Sequence, residues 1–171
     1  MLTLVANARE AVFESQDYLV PASLIMAQAL RLRGDEPAAR SAFARGLVTL
    51  DSVAAALRLQ DDLRVRSARG LALAGLGRRA EALREARWLG QTAESREDAF
   101  YGPAILEQSA GILAQAGDAD AALDEIERLL AGPSWLSVHT LRLDPRWDPI
   151  RQDPRFKALL VKYANPERPA R

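Results

Sequence analysis

Apolar residues recur along this chain with a helical period, and one spacing is written three times. The segments MAQALRLRGDEPAARSAF (26–43), RGLALAGLGRRAEALREA (69–86) and SAGILAQAGDADAALDEI (109–126) align without gaps. In each, a small residue stands seven before a glycine (Ala27, Gly70, Ala110) and a leucine four before it (Leu30, Leu73, Leu113). An alanine follows five after the glycine (Ala39, Ala82, Ala122) and an apolar residue nine after (Phe43, Ala86, Ile126). The two earlier offsets share one face of a first helix, and the two later ones share one face of a second. Gly34, Gly77 and Gly117 lie 43 and 40 residues apart and supply the turn that ends a helix. Asp35 and Asp118 are placed to cap the second helix. The pattern therefore predicts a helical hairpin three times over, with small residues where the paired helices approach.

The flanks read differently. Residues 3–16 predict one more helix, half of a preceding repeat, which points to a longer parent protein. At the other end, LRLDPRWDPIRQDPRFKALL (141–160) contains three Asp-Pro steps. Proline disfavours helix in the residue before it and suits the first helical position. Two sharp turns and a last helix from Pro154 to about Tyr163 are expected. Trp135, Leu141, Trp147, Ile150, Phe156 and Leu160 are expected to cover the open end of the array, since repeat arrays need a terminal cap.

Composition narrows the class. Of 171 residues 49% are hydrophobic but only 6% aromatic, which favours close-packed Ala/Leu helices over a β-sandwich. Lys+Arg and Asp+Glu are 23 each, and this zero balance argues against a general nucleic-acid binder. Locally the charge is uneven: residues 58–96 carry nine Arg against five acids, while 97–132 carry eight acids against one Arg. Neighbouring helix faces of opposite sign are the simplest reading. The absence of cysteine removes disulfides and thiolate sites. MLTLVANARE is not a secretory signal, and residues 18–32 are too short and polar to span a bilayer.

The repeat is similar to the tetratricopeptide repeat, whose unit is about 34 residues. The match covers about residues 20–53, 63–96 and 103–136, with a cap over 137–165, in a single domain over 1–171. The excess over the unit is expected in a long second helix through residues 51–59 and in the loop 92–102. Ser23, Arg66 and Leu106 replace the large aromatic near the start of the first helix, so the repeats are degenerate. Residues 18–163, with LALAGLGRRAEALREA, DAFYGPAILEQSAGILAQAGDADAALDEIERLL and the Asp-Pro tail, resemble the C-terminal repeat region of large bacterial signalling proteins. In those proteins the repeats follow a Ser/Thr kinase, a nucleotide cyclase or a winged-helix domain.

The resemblance implies an all-α, right-handed solenoid of antiparallel hairpins that binds a protein or peptide on a concave face lined by first helices. By motif position that face comprises Leu24, Gln28, Arg31 and Leu32, then Arg64, Ser67, Leu71 and Ala74, then Ala104, Glu107, Gly111 and Ala114. The paired lysines and asparagines that grip chaperone C-termini in some relatives are absent. The expected protein is a cytoplasmic monomer or weak homo-oligomer, or an extracytoplasmic part of a membrane-anchored parent. It has no cofactor, no metal, no nucleic-acid partner and no membrane insertion. The alternative is a regulatory segment that packs in cis on an upstream kinase, cyclase or DNA-binding domain.

Catalytic signals are weak. Gly75-Leu76-Gly77-Arg78-Arg79-Ala80 fits G-x-G-x-x-A, but that motif needs a preceding strand and RSARGLALA is helix-forming. Asp118, Asp120 and Asp124 hint at a calcium loop, yet Leu123 stands where its glycine belongs. His139 is the only histidine and has no evident nucleophile or co-ligand. Asp61-Asp62 and Glu125/Glu127 are too close in sequence to share a helix face. The middle arginines, interleaved with acids, are expected to make salt bridges on helix surfaces.

Overall fold

The computed structural model describes residues 11–92 and 97–164. Among these the protein is mostly helical. It divides into two compact units, Met1–Glu85 and Ala86–Arg171.

The first unit begins with a hairpin of β1 (Val12–Glu14) and β2 (Leu19–Pro21), paired Val12↔Pro21, Phe13↔Val20 and Glu14↔Leu19. This corrects one expectation: the described part of residues 3–16 is strand and turn rather than helix, and the two short strands are the small sheet of an otherwise helical protein. Residues 3–10 lie outside the described residues. Ser15 Oγ accepts from the Asp17 and Tyr18 N–H groups at 3.0 and 3.3 Å and so forms the turn. Leu19 and Pro21 are buried, the period-two pattern of a strand with one face on a core.

Pro21 leads into α1 (Ala22–Leu32), which Gly34 ends with φ +80°. Gly34 N donates to Arg31 O (2.9 Å) and Asp35 N to Leu30 O (3.0 Å), the paired bonds of a Schellman turn. The same pair recurs at Gly77, φ +74°, and at Gly117, φ +80°. Each time the leucine four before the glycine, Leu30, Leu73 or Leu113, supplies the longer bond's acceptor. The threefold sequence pattern is therefore a threefold helix stop.

Asp35 then caps α2 (Glu36–Leu57) through Ala38 N at 3.1 Å. At 22 residues it is twice the length of α1 and runs on through residues 51–57. Ala39, Ala42, Phe43, Gly46, Leu47, Leu50 and Ala54 form its buried stripe, and it stops at Arg58, whose φ is +56°. Asp62 caps α3 (Leu63–Gly75), and no residue of this helix is fully exposed. Gly75 is close-packed: a Cβ there would lie 2.6 Å from the Phe43 ring. The division between the units falls within α4 (Arg79–Leu89).

The second unit pairs α5 (Gly102–Gln115) with α6 (Ala119–Ala131). Ser109 Oγ donates to Ala86 O at 2.9 Å, which satisfies a buried hydroxyl. Asp118 precedes α6, but its side chain makes no capping bond, contrary to the sequence expectation. The tail folds as α7 (Val138–Leu143), a 3₁₀ segment (Pro145–Ile150) and α8 (Pro154–Lys162). Asp144 and Asp153 cap the last two through Arg146 N and Arg155 N. Leu141, Trp147, Ile150 and Phe156 are buried as expected. Trp135 is not: it is 73% exposed, in the bent link between α6 and α7. In the last helix Leu159, rather than Leu160, is buried.

Candidate functional site

The face assigned to a partner separates into three kinds of residue. Leu24 is core. It is 1% exposed and packs where a Cβ on Gly46 would stand, 2.6 Å from Leu24 Cγ. As an apolar anchor for a partner it is corrected, because α1 buries Ser23, Leu24 and Ala27 against its own unit.

Arg31 and Arg64 are half-buried and engaged inside the first unit. Arg31 Nη2 donates to Gly75 O at 2.9 Å, and its guanidinium lies 4.6 Å from the Phe43 ring centre. Arg31 so ties α1 to the C-terminal end of α3. Arg64 binds Asp62 Oδ2 at 2.8 Å, Glu14 Oε1 at 3.3 Å and Ser15 O at 2.8 Å, and so fixes the hairpin to the start of α3. Burial works against the ionised Asp62 carboxyl. The Arg64 guanidinium and the Arg64 and Val65 N–H groups outweigh it and hold its pKa below the usual range. The neighbouring arginines are paired too: Arg66 with Asp61 and Glu85, Arg69 with Asp51 and Glu85, Arg78 with Glu81. The basic stretch is thus used in intramolecular ion pairs, as its interleaved acids predict.

Glu107 belongs to the second unit and lies under the tail. Arg146 Nη2 sits 3.2 Å from Glu107 Oε1 and 2.7 Å from Asp144 Oδ2. A Cβ on Gly111 would meet Arg146 Cδ at 2.5 Å, and Gln115 Nε2 donates to Arg146 O at 2.7 Å. The first-helix face of the third repeat is therefore filled by the chain's own 3₁₀ segment. Burial raises the Glu107 pKa; Arg146 opposes the rise and the Asp144 charge adds to it.

The open part of the candidate face is smaller. Gln28 is exposed, and Ser67 and Leu71 are half-buried. Around Gln28, α1 presents Ile25 and Leu32, which are 51% and 62% exposed; Met26, 54% exposed, lies on another side of the helix. Motif position alone does not select Ile25 and Met26. For Ile25 the spacing with Ala29 and Leu32 is the signal, since residues 25, 29 and 32 share one helix face.

The tempting chemistry resolves into structure. Gly75 ends α3 and Gly77 forms the turn, so the glycine pair follows a helix and not a strand. Asp120 and Asp124 face Arg155 at 3.2 and 2.6 Å. His139 is exposed on α7. Among the described residues no group of three or more His, Cys, Asp or Glu is arranged to hold a metal, and no helix is long and apolar enough to cross a membrane. Compared with known proteins, the chain matches no family model, no curated protein and no solved structure.

Proposed function

We propose that the chain is a non-catalytic protein-interaction module of the tetratricopeptide type, within a cytoplasmic bacterial signalling or regulatory protein. It takes a protein or peptide segment on the exposed face of α1. The carrying observation is the strip of Ile25 and Leu32, each more than half exposed, with Ala29 on the same face and Gln28 at its edge. A run of exposed apolar residues along one helix face supports an interaction surface. The repeated helix stops at Gly34, Gly77 and Gly117 support the repeat reading.

The test is co-purification from the source organism, with wild type beside an Ile25→Glu/Leu32→Glu variant of equal melting temperature. Exposed substitutions usually change stability by no more than about 0.5 kcal/mol, so with equal melting temperatures loss of a captured protein reports the surface. If both proteins capture the same set, or neither captures any, the reading fails. Packing on an upstream domain of the same parent then becomes the better account.

A further inference from the structure

The tail is held in two different ways. Residues 144–151 are pinned by buried and directional contacts. Trp147 and Ile150 are buried, and Arg146 reaches Glu107 and Asp144. Arg151 donates to the carbonyls of Leu141, Arg142 and Asp144 at 3.2, 2.6 and 3.0 Å. Beyond Gln152 the character changes. The polar contacts of α8 with α6 are ionic: Arg155 to Asp120 and Asp124 at 3.2 and 2.6 Å, and Lys162 to Glu127 at 2.6 Å. They lie in solvent, for even the least exposed of these side chains, Glu127, keeps 40% of its surface. Asp120, Asp124 and Glu127 form one row on α6, spaced at a helical period. Only Phe156 and Leu159 of α8 are buried.

We propose that α8 is a detachable strap, which opens as its own unit about residues 152–153 while residues 144–151 stay seated, and that ionic strength sets the open fraction. Exposed ion pairs are screened as the Debye length falls from about 10 Å at 0.1 M salt to about 3 Å at 1 M. Nine residues are too few for a stable isolated helix, so an undocked α8 melts and its amides exchange. A charged partner that takes over Arg155 and Lys162, or the acidic row, would shift the strap in the same direction, in proportion to its preference for the open form.

Hydrogen exchange with mass spectrometry on the full chain tests this at 0.05 and 0.5 M NaCl. The amides of residues 157–162 are expected to exchange about fivefold faster at the higher salt, the summed effect of three weak pairs, while those of residues 106–115 change less than twofold. An Arg155→Gln/Lys162→Gln chain is expected to show fast strap exchange at both salts, with α5 still protected. Strap amides that ignore salt, or a double variant that matches wild type, would overturn the proposal. So would acceleration of α5 together with the strap, which would show that the tail and α5 open as one.

Discussion

Leu24 occupies the space that a side chain on Gly46 would need, with its Cγ 2.6 Å from the position of a Gly46 Cβ. The two residues make α1 and α2 approach closely, and each constrains the other. Leu24→Ala is expected to cost about 2–5 kcal/mol, as in other buried Leu→Ala changes. Gly46→Ala is expected to cost about 1–3 kcal/mol through overpacking. Urea unfolding of both variants checks this; midpoints equal to wild type would show that the contact contributes nothing.

Asp62 predicts an acid-sensitive first unit. Its folded pKa is below the ordinary value, so its ionised form stabilises the fold above the usual carboxylate range, and that stability is lost as pH falls through the folded pKa. Asp62→Asn keeps an N-cap acceptor but removes the charge. Wild type is expected to lose more stability than this variant between about pH 4 and pH 2, read by denaturant titrations at each pH. Parallel pH profiles would contradict the role of the Asp62–Arg64 pair.

Glu107 predicts the opposite sign. Its folded pKa is raised, so the folded state holds the proton more tightly and stability falls as pH rises through that pKa. Asp144 still holds Arg146 at 2.7 Å when Glu107 is neutral. Glu107→Gln is therefore expected to be at least as stable as wild type at pH 7, with the difference vanishing below about pH 4. A clearly less stable variant at pH 7 would mean that the ion pair with Arg146 outweighs burial.

Arg151 predicts a tail anchored from one side chain. Its guanidinium reaches three backbone carbonyls at the end of α7. Arg151→Ala is expected to cost about 1.5–3 kcal/mol, the range for hydrogen bonds to a charged group. Loss of protection at residues 144–150, seen by hydrogen exchange, locates the effect; unchanged exchange there would refute the anchor.

The helix stops were legible because their signals are local. Glycine at a fixed offset from Leu30, Leu73 and Leu113 is itself the helix stop, so spacing and structure coincide. Asp-Pro steps at residues 144–145 and 153–154 likewise mark the helix starts they cap. The β-hairpin was missed because AVFE mixes helix-favouring Ala and Glu with strand-favouring Val and Phe, and its strand state depends on pairing with Leu19–Pro21. The Ser15 turn was the available cue. The exposure of the candidate-face residues was the least legible. Motif position does not distinguish a side chain turned into its own unit, such as Leu24, from an exposed one, such as Gln28. Nor does it show that Arg146 will lie over Glu107 and Gly111.

Photocrosslinking decides whether a protein segment docks on the exposed face of α1. A benzoylphenylalanine placed at position 28 is compared with one at position 45, an exposed position on α2. Both chains are expressed in the source organism and irradiated. A specific protein adduct is expected from position 28 and none from position 45. Equal adducts from both positions, or none from either, would contradict docking on α1.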